Sequence, residues 1–375
     1  MAEADDASVR ASVPLRPDAP DGLVLRAGAL AASLFRYPGG VRGLILSNPR
    51  GSVTVLPWMG QMVWDASFDG VRLGMRSLFD EPVAGARTIG ETYGCLAFHS
   101  GLLRNGVPGP RDDHAAHGEF PCAAMNDAAI EILDGPDGIA LRLVGERVHT
   151  EGFGPAYAAR PSVTLGADAT CFAFAMSVRN RSARPMPLMY MAHVNPGFVE
   201  NGRIVQPAPW TPAHVRVRRA VPRHVEPNPA YLARIEAFGA EPSLSRTLSD
   251  SSAFEPEQVF YLSGLRTDEA GRTTQLLRSP EGWAFSLSHR PEMFPHCVRW
   301  LMRDGDAAVA AIALPSTCEP EGYEAELAKG NVRFLPPGED ARFAVEIGFL
   351  DAEAAGRAEA AIASRAERGA EACPE

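Results

Sequence analysis

A period-two alternation of apolar and polar residues recurs along most of this chain, and it constrains the fold more than any other feature. Val53 and Val55 alternate with Ser52 and Thr54; Ile139, Leu141 and Leu143 alternate with Ala140 and Arg142. Phe172, Phe174, Met176 and Val178 repeat the pattern, as do Trp283, Phe285 and Leu287, and then Phe343, Val345, Ile347 and Phe349. Successive side chains of an extended chain point to opposite faces, so each segment reads as a strand with one buried and one wetter face. Turn signals separate the strands: Asp69-Gly70, Asp134 to Gly138, Asn201-Gly202, Asp304-Gly305 and Pro336-Pro337-Gly338. Helical periodicity is clear mainly from Asp351 to Arg368, where Glu353 and Arg357 have the favourable i,i+4 spacing, with a shorter helix expected over Tyr231 to Phe238. Many short strands with few helices predict an all-β, mainly antiparallel sandwich. Residues 1–22, rich in Ala, Asp and Pro, are expected as a flexible arm, 23–350 as one sandwich domain, and 351–375 as a C-terminal helix and tail.

Charge narrows the partners. The chain has 375 residues and a net charge of -10, so it carries no basic footprint for nucleic acid. No apolar run approaches the roughly 20 residues of a membrane helix. The acidic start, Met1 to Asp6, lacks the apolar core of a secretory signal. Six cysteines (Cys95, Cys122, Cys171, Cys297, Cys318 and Cys373) are scattered without a CxxC pair. Reduced thiols in a cytoplasm are the expectation. Nothing in the sequence speaks to oligomeric state.

Chemistry is expected where polar groups interrupt apolar strands. Leu188 to Phe198 carries His193 and Asn195 two residues apart, just before Pro196-Gly197. On a strand that spacing sets imidazole and amide side by side on one face. For a lone histidine the bland reading is a hydrogen-bonded core residue; a second polar block, His114-Ala-Ala-His117-Gly118-Glu119, weighs against it.

These blocks, in their order, resemble the aldose 1-epimerase (galactose mutarotase-like) proteins. Gly101-Leu-Leu-Arg104-Asn105-Gly106 followed by His117-Gly118 is similar to the segments lining the mutarotase sugar pocket. Tyr190-Met-Ala-His193-Val-Asn195-Pro-Gly197-Phe198 resembles the strand bearing that family's catalytic histidine. Gly305 to Pro315, with Leu335-Pro-Pro-Gly338-Glu339, resembles the last block. The resemblance implies a β-supersandwich with few short helices, a concave sugar site, a small-molecule sugar or sugar derivative as partner, and no cofactor. One departure matters: the family's glutamate base falls on Leu314, which cannot take a proton.

Mutarotation needs a base at the anomeric hydroxyl and an acid at the ring oxygen, and a positioned pair contributes about 10²–10⁴-fold per transfer. The resemblance makes His193 the acid. Glu319, on the loop after Leu314, is the candidate base, against the plain reading of a solvated loop acid. His117, Arg104, Asn195, Gln61 and Trp300 are the candidate substrate-binding residues; Trp58 and Trp64 are further stacking candidates, although aromatics in a sandwich are more often core. Arg104 and Arg111 hint at an anionic substituent. Two other readings stay open. His114, His117 and Glu119 with His193 hold the ligand types of a metal-dependent sugar isomerase or lyase. A sugar-binding protein without turnover would keep the pocket and dispense with the base.

Overall fold

A computed structural model describes residues 7–221 and 225–368. The alternating segments fall in antiparallel strands, with Trp283 immediately before its strand, Ala284–His289. One sheet of nine strands runs, edge to edge, through Ser8–Pro14, Asp127–Gly135, Gly138–Thr150, Ala156–Gly166, Cys171–Asn180, Asp340–Leu350, Ala284–His289, Thr273–Arg278 and Arg203–Val205. A second sheet, of twelve strands, places Met191–Val194 near its middle, between Ala97–Ser100 and Ala308–Ser316. His296–Arg303 and Gln258–Leu262 continue it on one side, Val63–Phe68 and Gly51–Val55 on the other. The main core draws on both sheets: Leu44, Val53, Ala192 and Val194 from one meet Phe172, Phe174 and Ile347 from the other. The two sheets are therefore packed face to face, as expected for a sandwich.

Period two also sets what the larger sheet shows on its outer side. Ala192 and Val194 enter the core, so Met191 and His193 point away from it. On the neighbouring strands Cys297 and Leu301 point inward while Val298 and Trp300 point outward, and Phe260 alternates likewise with Val259 and Tyr261. The outer face therefore gathers a second set of large side chains, and the site forms there.

The N-terminal arm is corrected. Ser8–Pro14 is an edge strand, with Ser8 opposite Asp134 and Pro14 opposite Ala129. Its side chains are mostly exposed on both faces, so it carries no hydrophobic period; backbone hydrogen bonds to the neighbouring strand hold it instead. Residues 1–6 lie outside the described residues. The short helix spans Pro229–Ala240, capped by the Asn228 side chain, which accepts from the Tyr231 N–H at 2.9 Å. The C-terminal helix spans Ala352–Arg368 and packs Ala355 and Ile362 against Leu276 and Ala284. Cys95, Cys122, Cys171, Cys297 and Cys318 are free thiols, and Cys373 lies outside the described residues. No helix among the described residues is long and apolar enough to cross a membrane.

Candidate active site

His193 and His117 meet in one cavity of about 520 Å³ on the outer face of the twelve-stranded sheet. That volume falls within the roughly 300–1,000 Å³ of small-molecule sites. The ring centroids lie 4.8 Å apart with the planes nearly perpendicular, at 86°. His193 stacks on Phe98, its cross-strand partner, at 4.5 Å. Tyr93 and Trp300 close around the pair, with centroids 6.1 and 5.9 Å from His193. His117 arrives from a loop rather than a strand. It sits at φ 63, in the left-handed region, and its N–H donates to Gly106 O at 2.9 Å. Gly118 after it has φ 78, and a Cβ there would stand 2.0 Å from Arg104 O, so only glycine lets this loop lie on the 101–106 segment.

Each imidazole is fixed by a second residue. The Asn195 amide nitrogen donates to Cys95 O at 3.1 Å, which leaves its Oδ1 toward His193 Nδ1 at 2.9 Å. An amide oxygen only accepts, so His193 carries its hydrogen on Nδ1. Ser100 Oγ donates to Asn105 Oδ1 and lies 3.2 Å from His117 Nδ1, which again favours hydrogen on Nδ1. Burial holds the His117 imidazole down at about 4 and the His193 imidazole well below its usual range, with His117 adding to the latter effect. At neutral pH both rings are neutral with lone pairs on Nε2. The Tyr93 hydroxyl lies 3.4 Å from His193 Nε2, and burial keeps this phenol protonated by raising its pKa well above the ordinary value. Two carboxylates line the cavity, Glu257 and Asp306, and of these Glu257 is the buried one. It accepts from Arg218 Nη2 at 2.6 Å and from Trp300 Nε1 at 2.7 Å.

Comparison with known proteins is decisive at the level of family. Residues 39–349 match DUF4432, described as a domain of unknown function. The chain belongs to the DUF4432 family. No curated protein matches it in sequence. Its fold is galactose mutarotase-like. A Klebsiella pneumoniae protein provisionally named aldose 1-epimerase superposes with a TM-score of 0.73 at 16% identity, covering 92% of each chain. A galactose mutarotase-like protein from Clostridium acetobutylicum gives 0.58 at 13% identity, over 87% of this chain and 100% of its own. Galactose 1-epimerase from Lactobacillus acidophilus gives 0.54 at 13%, over 86% and 99%.

In this DUF4432 chain the other expected residues are divided. Trp300 lines the cavity, and Asn195 stands behind His193. Leu314, at the position where the resemblance expects a base, is in the wall and 2% exposed. Glu319 is elsewhere: it is paired with Arg216 at 2.6 Å and Lys329 at 2.7 Å beside a different cavity, and these cations hold its carboxyl below the usual range against the opposing effect of burial. Arg104 stacks over the Tyr323 ring at 3.9 Å, and Arg111 is 81% exposed near Glu324, so neither supplies an anion contact in the cavity. Gln61 is fully buried away from it, as is Trp64, which packs in a separate apolar cluster; Trp58 is half-buried against the main core.

The metal cluster is not assembled. Glu119 accepts from the N–H groups of Leu102 and Leu103 and from the Tyr157 hydroxyl, while His114 turns to Ala115 O and Asp112. Among the described residues no group of three or more His, Cys, Asp or Glu is placed to hold a metal ion. Sequence reasoning missed Tyr93, Glu257 and Arg218. Tyr93 sits in an irregular stretch, Thr92-Tyr-Gly94, that carries no period. Glu257 and Arg218 lie at strand ends nearly forty residues apart and become neighbours only through sheet pairing.

Proposed function

We propose that this cavity binds a sugar and that the chain interconverts its anomers by opening and reclosing the ring. The observation that carries the reading is the pair of adjoining imidazoles, each anchored through Nδ1, with the Tyr93 hydroxyl beside the Nε2 of His193. In the proposed step the anomeric hydroxyl gives its proton to His193 Nε2, the Tyr93 hydroxyl gives its proton to the ring oxygen, and the C1–O5 bond breaks. An aldehyde forms, with His193 protonated and Tyr93 deprotonated. The His193 Nε2 proton then passes to the Tyr93 oxygen, across the contact of 3.4 Å, and both groups are neutral again. Rotation about C1–C2 and the reverse sequence close the ring on the other face. His117 Nε2 accepts from a further hydroxyl.

This assignment makes His193 the base on ring opening rather than the acid, because Asn195 fixes its hydrogen on the far nitrogen. It also removes the need for a carboxylate at position 314. The test is the rate at which fresh α-D-galactose reaches anomeric equilibrium, followed by polarimetry and exchange NMR. Acceleration abolished by His193→Ala supports the reading; a wild-type rate no faster than buffer ends it. A second reading, sugar binding without turnover, is favoured by the buried Leu314 in the wall. Calorimetric binding without acceleration would select it.

A further inference from the structure

We infer that the sugar taken here carries an apolar substituent, such as a deoxy position or an O-alkyl or O-acyl group, in addition to a free anomeric hydroxyl; this rests on the sugar reading above. Apart from Ser77 and Asp306, the polar side chains of the cavity are gathered in one contiguous cluster. His117, His193, Tyr93 and Trp300 pack together, and beside them Glu257 accepts from both Arg218 and Trp300. The remaining wall is different. Met191, Val259, Val298 and Leu314, from four adjacent strands, pack with Met75 into a continuous apolar surface in which none is more than 6% exposed.

The apolar character continues to the mouth, where Leu78 is 74% exposed yet lines the same cavity. Two polar residues interrupt it, and one is satisfied locally: Ser77 Oγ accepts from the Phe79 N–H. The other is Asp306, which lies on the Asp304–Ala307 turn. A hexose with every hydroxyl intact would press several of them against this wall, and each buried hydroxyl without a partner weakens binding by about 5- to 150-fold. The same wall favours methyl and methylene groups. Burial of one methylene is worth about 0.8 kcal/mol, roughly fourfold in affinity.

The experiment compares D-galactose, 6-deoxy-D-galactose and 6-O-octyl-D-galactose, with octan-1-ol as an apolar control. Binding is measured by titration calorimetry and anomer exchange by NMR, on the full chain and on Leu314→Ser and Val298→Thr. The inference expects affinity to rise along the sugar series, by at least tenfold from D-galactose to the octyl ether. It also expects either substitution to shrink that ratio. Equal affinity for the three sugars, with anomer exchange still accelerated, overturns the substituent and leaves the sugar reading standing. No accelerated exchange for any sugar, with octan-1-ol bound as tightly as the octyl ether, overturns the sugar reading and this inference together. Thermal melts of both variants separate loss of preference from loss of fold.

Discussion

Asn195 Oδ1 faces His193 Nδ1 at 2.9 Å, and that one contact decides which ring nitrogen meets the cavity. The amide cannot turn over without surrendering its bond to Cys95 O. His193 is therefore presented as an acceptor, not a donor.

Asn195→Asp tests this relationship through pH. A carboxylate at Nδ1 stabilises the imidazolium and raises the His193 pKa, and activity that needs the neutral ring falls as pH drops through that pKa. The acid limb of the kcat profile is expected to move to higher pH. A profile that stays in place would show that His193 is not the titrating base.

His193→Ala is expected to lower anomer interconversion by about 10²–10⁴-fold, the usual contribution of one proton-transfer group. Far-ultraviolet circular dichroism should match wild type, since the strand pairing from Met191 to Val194 is made by backbone. A loss below fivefold would remove His193 from the chemistry.

Glu319→Gln separates the loop acid from the site. Its carboxylate is held by Arg216 and Lys329 beside another cavity, so the substitution should change kcat and KM by less than about fivefold, well short of an acid–base contribution. A hundredfold drop would return Glu319 to the mechanism.

Glu257 and Arg218 form an ion pair whose side chains are 9% and 8% exposed. Removing one partner strands the other charge in a nearly dry site, which typically costs about 3–5 kcal/mol, whereas replacing both with apolar groups is often close to neutral. Chemical denaturation should show Glu257→Leu strongly destabilised and the double variant Glu257→Leu with Arg218→Met substantially recovered. Additive losses would mean that the pair is not coupled.

Acid stability follows from buried neutral histidines. Burial holds His117 at about 4 and His99 and His289 at about 3. An unfolded histidine titrates near 6.5, so between pH 6.5 and 4 the unfolded chain binds protons that the folded chain does not. Stability is therefore fully present above pH 6.5 and falls as pH drops, by up to about 1.4 kcal/mol per pH unit for each such histidine. Urea midpoints at pH 7 and pH 5 should differ markedly, and His289→Gln should flatten the slope. Identical midpoints would contradict the buried neutral state.

Legibility in the sequence followed the range of each interaction. The spacing of His193 and Asn195 was readable because two residues on one strand share a face whatever the strand pairs with. The C-terminal helix was readable for the same local reason, whereas Ser8–Pro14 was not, since an edge strand exposed on both faces leaves no hydrophobic signature. Glu319 was plausible by its nearness in sequence to Leu314, and the fold carried it to Arg216 and Lys329 instead.

By itself, then, the order of residues determined the alternating strands, their two faces, and the placement of His193 beside Asn195, because period two and nearest-neighbour geometry act within a few residues. The tertiary structure alone decided that His117 would meet His193, that Tyr93 would pack against both rings and that Glu257 would be held by Arg218. Those meetings join segments scores of residues apart, and sheet pairing with close loop packing, rather than any local rule, fixes where such segments touch.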